Sequence, residues 1–219
     1  MTVEMPMAAA LAGIPAGVQA FGPWAGRRQL FVRFAGEAET ATMYLAPALI
    51  RELQRQLQRA TVHSVAIGGR DPLGSVTFLK TALEGAQPTV PVMLDTDGMR
   101  PDALPALLSR LALVQVTVDF SSGEAALDRV IETLRVAAAG GVAHALVLVP
   151  RDDTSDAMLL RLVHEAHAAS AATQVVIHPP VGDHGAVLNR RWASLLEQAV
   201  VVHADTRLAM RIAAPTGLR

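Results

Sequence analysis

Six short apolar runs, each followed by a stretch that can form a helix, constrain this chain more than any other feature. The runs are Gln29–Ala35, Ser64–Ile67, Val90–Leu94, Leu113–Phe120, His144–Val149 and Gln174–His178. They are near-continuous and rich in β-branched residues. That pattern predicts strands buried on both faces, and so a parallel sheet covered by helices. Helices are predicted at Pro47–Ala60, Val76–Leu83, Asp102–Leu111, Glu124–Ala138, Thr154–Ala171 and Val187–Ala199. The first has proline near its start and sets Leu49, Ile50, Leu53 and Leu57 on one face. With right-handed crossovers, such a repeat makes an open doubly wound sheet or a curved partial barrel.

Length and composition narrow the function classes. At 219 residues, 51% of them hydrophobic, the chain can bury one sizeable core. Residues 1–28 are rich in Ala, Gly and Pro and read as a loosely ordered arm or lead-in; residues 29–219 read as a single domain. A formal net charge of −1 and the lack of any basic run with aromatics give no case for nucleic acid or an anionic membrane. No apolar run reaches the length of a membrane span, and Glu4 near the start argues against a signal peptide. These features predict a soluble cytoplasmic protein. The chain has no cysteine, which excludes disulfides, thiolate nucleophiles, zinc ribbons and ordinary iron–sulfur sites.

Polar residues and glycines gather where the predicted strands end, which is where α/β folds bind ligands. Gly68-Gly69-Arg70-Asp71-Pro72 follows the second run. It reads either as a turn letting backbone approach a ligand or as a turn into a proline-started helix. Asp95-Thr96-Asp97-Gly98 follows the third. Its two carboxylates read either as ligands for a hard cation or as a capped turn. Asp119 ends the fourth and reads as a binding group or as a cap beside Ser121 and Ser122. The acidic stretch Asp152–Asp156 reads as a helix start, and His164 and His167 as surface or packing residues. His178, near Asp183 and His184, is a candidate for metal or acid–base work.

In their order and spacing these motifs resemble the pyruvate formate-lyase activating enzymes of the radical S-adenosylmethionine (AdoMet) superfamily. Gln29–Gly36 is similar to the first strand leading into the cluster loop, Gly68-Gly69 to the glycine pair that meets AdoMet, and Asp95-Thr96-Asp97-Gly98 to an Asp-Thr-Asn-Gly run. The resemblance implies a partial (βα)6 barrel with parallel strands. Its candidate cofactor rim is Gly68, Gly69, Asp71, Asp95, Asp97, Asp119 and His178. The family's three cluster cysteines fall on Glu37, Ala41 and Tyr44, and Arg70 stands where the family has an acid. Without thiolates the [4Fe–4S] cluster has no ordinary anchor, so the radical chemistry is not carried over.

The expectation is therefore a cluster-less relative, without redox catalysis, that acts as a binding partner, scaffold or regulator. Its partner would be a homologue, an enzyme of the same operon or a second copy of itself. Two alternatives stand beside it. One is a divalent-metal enzyme using Asp95, Asp97, Asp119 and His178, with Arg33, Arg70 or Arg151 for an anionic substrate. The other is a protein that binds AdoMet without reducing it. That alternative expects Gly69→Val to abolish cofactor binding and leave the fold intact.

Overall fold

A computed structural model describes residues 7–120, 125–180 and 190–210. The architecture is α/β and comprises, among the described residues, a mostly parallel central sheet of ten strands and five helices. The six apolar runs become β3 (Arg28–Phe34), β5 (Ser64–Gly69), β6 (Val92–Thr96), β7 (Leu113–Val118), β8 (Ala143–Leu148) and β9 (Gln174–Ile177). A short β10 (Thr206–Leu208) follows, and all seven are parallel neighbours in chain order. The order never reverses, so there is no switch point and the doubly wound alternative falls. The sheet is open: β10 forms one edge and β4 (Thr42–Leu45) the other.

Parallel neighbours in chain order, joined by crossovers of one hand, put every helix on the same side of the sheet. The helices are α1 (Ala46–Arg59), α2 (Val76–Ala86), α3 (Ala125–Ala139), α4 (Asp156–Ala169) and α5 (Arg190–Val202). They pack in series, α1 on α2, α3 on α4 and α4 on α5. The main core lies between this layer and one face of the sheet. Leu30, Val32, Phe34, Val65, Ile67, Leu94, Val114, Val116, Leu146, Leu148, Val175 and Ile177 point into it. No helix among the described residues is long and apolar enough to cross a membrane.

Three stretches differ from expectation. The arm expected over residues 1–28 is, from residue 8, part of the sheet. β1 (Ala8–Gly13) lies antiparallel between β3 and β4, and β2 (Ala16–Val18) pairs with the start of β3. Ala9 and Leu11 alternate into the core, a signal hidden by the Ala/Gly/Pro composition. The helix expected at Asp102–Leu111 is a pair of 3-10 turns, Leu104–Ala106 and Leu108–Arg110. Pro105 has no N–H to donate and its ring clashes with an α-helical path. The stretch expected to resemble a cluster loop runs through a turn into β4.

Gly69 has a packing reason for being glycine. Its φ is +97, and an added Cβ would lie 2.2 Å from the carbonyl oxygen and 2.8 Å from the nitrogen of Phe34 on β3. Both obstacles are backbone, so neither yields to a rotamer change. This runs against the expectation that Gly69→Val would leave the fold intact. Even Gly69→Ala should cost about 3 kcal/mol or more, seen as a lowered denaturant midpoint at unchanged slope.

Candidate functional site

The face of the sheet away from the helices carries a second, smaller core. Ala66, Met93, Leu113 and Ala145 form it, with Trp24 and Phe31 packed against them. Side chains alternate along each strand, so Gln29, Ser64, Asp95, Gln115, Thr117 and Val147 share this face. Toward the strand carboxyl ends the row turns polar. Arg33 pairs in register with Gly68 and Asp95 with Gln115, while a Cβ on Gly68 would meet the Asp95 Cβ at 3.4 Å. The missing side chain at Gly68 leaves room between Arg33 and Asp95.

The chain itself covers this face. Residues 19–27, between β2 and β3, form a loop closed by bonds from Gln19 N–H to the Arg27 carbonyl and from Gly26 N–H to the Gln19 carbonyl, both 2.9 Å. The Gln19 amide nitrogen also donates to the Phe21 carbonyl at 3.0 Å. The Gly22 N–H donates to His178 Nε2 at 3.0 Å, and Phe21 meets the His178 ring edge-on. That bond requires the neutral imidazole to keep Nε2 as its acceptor. Trp24 packs edge-on against His63. Gly22 is buried with φ +80, and a Cβ there would come within 1.9 Å of Gln115 Oε1. The positive φ favours glycine here, and the loop rests against the end of the Gln115 side chain.

The environment of Asp95 disfavours its charge. Burial pushes its carboxyl up to about 6, against hydrogen bonds from Thr117 and Gln115 that pull it down. Thr117 Oγ1 donates to Asp95 Oδ1 at 2.7 Å, and Gln115 Nε2 donates to Thr117 Oγ1 at 3.3 Å. Deeper on the same face, Gln29 Nε2 donates to Ser64 Oγ at 2.8 Å. The buried Oε1 atoms of Gln29 and Gln115 have no hydrogen-bond partner among the described residues.

The residues singled out from sequence fall into three groups. Gly68 and Asp95 lie on the covered face, and His178 joins them through the loop. Asp97 and Asp119 line a small hollow of about 40 Å³ with Thr117 and Phe120. Asp97 Oδ1 accepts from Met99 N–H at 2.9 Å, the capped turn of the sequence reading. Glu37, Ala41 and Asp71 line a cleft of about 430 Å³ at the carboxyl ends of β3 and β5. There Glu37 pairs with Arg70 at 2.7 Å and Asp71 takes both Nε and Nη2 of Arg100. Asp71 also accepts from Gly74 N–H, which caps the 3-10 turn Pro72–Ser75. Tyr44 sits in β4, its side chain against the main core.

Among the described residues, no three His, Asp or Glu side chains come together as metal ligands, so the four-residue metal set does not assemble. His167 instead pairs with His203, their Nδ1 atoms 3.0 Å apart. Arg33 pairs with Glu39, and Arg151 with Asp153. Ser155 caps α4, the helix start expected of the acidic stretch. Ser121, Ser122, Asp183 and His184 lie outside the described residues. Sequence reasoning missed the loop at 19–27, Gln115 and Thr117. A signal existed for Gln115: a glutamine inside Leu-Val-Gln-Val-Thr-Val must find polar company when that strand is buried.

Folding raises the Asp95 pKa above its unfolded value, so it favours the protonated acid. That contribution is fully present below about pH 4 and is lost as pH rises through about 6. Between about pH 4 and pH 8 the native chain should lose up to about 3 kcal/mol that Asp95→Asn does not lose. Urea denaturation of both proteins across this range checks it. The chain matches no protein-family model and no curated protein.

Proposed function

We propose that this protein is a cluster-less relative of the radical AdoMet activating enzymes, a partial (βα)6 barrel that works by binding another protein and not by redox catalysis. The observation that carries this reading is the loop at residues 19–27. It lies on the face where a barrel of this kind takes its small molecules, with Gly22 bonded to His178 and pressed against Gln115. A ligand entering there would first have to displace part of the chain's own fold.

The rim supports the same reading. Of the positions expected to match the three cluster cysteines, Glu37 holds Arg70 and Tyr44 belongs to β4, while Ala41, with no ligating group, lines the same cleft as Glu37. Arg70 would repel the ammonium of AdoMet, and the Asp71 carboxylate is taken up by Arg100 and Gly74. Strand order is compatible with a partial barrel, since the apolar-run strands β3, β5, β6, β7, β8 and β9 follow one another in parallel, with β10 added after them at the open edge. What remains for function is surface.

Thermal-shift titration with AdoMet tests this. A ligand that binds only the folded state adds about 2.7 kcal/mol at about 100 times its Kd, a readable rise in Tm. The reading predicts no shift with AdoMet or its demethylated product. A saturable rise with either would overturn it.

A further inference from the structure

The two edges of the sheet are built differently. At one edge, β10 is three residues long and carries Arg207, whose guanidinium bonds Gln174. A charge on a short strand is how proteins keep an edge from pairing with other chains. At the other edge β4 reads Thr42-Met43-Tyr44-Leu45, with no charge and no proline. Met43 is 66% exposed and Leu45 45%, both pointing to the helix-free side. Among the described residues β4 has one strand neighbour, β1.

The backbone of β4 points the same way. Ala46 N–H donates to the Met7 carbonyl, which places the polar groups of Ala46, and by alternation those of Tyr44 and Thr42, toward β1. Met43 and Leu45 therefore turn both N–H and C=O outward. The two residues with exposed apolar side chains are the two whose backbone is ready to pair.

We infer that β4 is a homodimer contact, pairing antiparallel with β4 of a second copy about a two-fold axis at Tyr44. A two-fold joins identical edges antiparallel, which continues the antiparallel ladders of β3 with β1 and β1 with β4. Centred on Tyr44, the register sets Met43 opposite the copy's Leu45 and Leu45 opposite the copy's Met43. Each such pair exchanges two backbone hydrogen bonds and covers both exposed side chains, and no like charges meet. A four-residue strand buries less than the ~1,600 Å² of a standard interface, so the dimer is concentration-dependent. The inference extends the reading of the protein as one that works through protein contacts. The two fail separately, since AdoMet binding would overturn that reading and leave the edge untouched.

Sedimentation velocity of the full chain over a wide concentration range tests it, with two variants. The native protein should shift toward twice the 23.1 kDa mass as concentration rises. Met43→Lys should remain a monomer with unchanged circular dichroism and Tm. In the cysteine-free background, Tyr44→Cys should give a disulfide-linked dimer under mild oxidation. The two Cα atoms lie about 4.5 Å apart in such a pair, within disulfide reach. Val18→Cys, exposed on β2, should not cross-link. A native monomer at the highest soluble concentration would overturn the inference. So would a dimer that survives Met43→Lys, or cross-linking as fast at Val18→Cys as at Tyr44→Cys.

Discussion

Strands that follow one another in chain order, with every crossover of the same hand, cover one face of a sheet and leave the other bare. The rest of this structure depends on how that second face is closed. Ala66, Met93, Leu113 and Ala145 supply its apolar floor, and Gln29, Ser64, Asp95, Gln115 and Thr117 its polar groups. Such a surface needs a cover that excludes water and also meets hydrogen bonds. Residues 19–27 serve as that cover. Their cross-loop bonds satisfy their own backbone, Trp24 and Phe21 bring apolar area, and Gly22 gives its N–H to His178. Gly22, with φ +80, lets the loop turn where it meets Gln115, and separately Gly69 lets β5 run beside the Phe34 backbone of β3.

Much of the α/β frame is legible in the sequence. The six apolar runs map onto six parallel strands because strands buried on both faces cannot hide their composition. α1, α2, α3, α4 and α5 follow from apolar spacing. The edge of the sheet is not legible. β1 is written mostly in alanine and glycine, and β4 is only four residues long. Helical spacing over Asp102–Leu111 misleads because Pro105 vetoes the α form while leaving 3-10 turns open.

The candidate site is legible by position and not by grouping. Asp95 and His178 stand at strand ends as expected, yet Asp71 and Asp97 spend their oxygens on local turns and on Arg100. Two short turns look the same in sequence whether their carboxylates face a ligand or their own backbone. The loop at 19–27 cannot be read from sequence because its contacts span the chain, with Gly22 meeting a histidine 156 positions away. The helix-free face holds a carboxyl, Asp95, pushed up to about 6 by burial and bonded by Thr117 and Gln115.

Amide hydrogen exchange at Gly22 tests the covering loop most directly. The N–H is buried and donates to His178, so exchange requires the loop to leave the sheet. The account predicts that Gly22 is protected to a degree comparable with core amides of β7 and β8. Exchange at the rate of an open loop would contradict it, and would mean that the helix-free face stands open to a ligand.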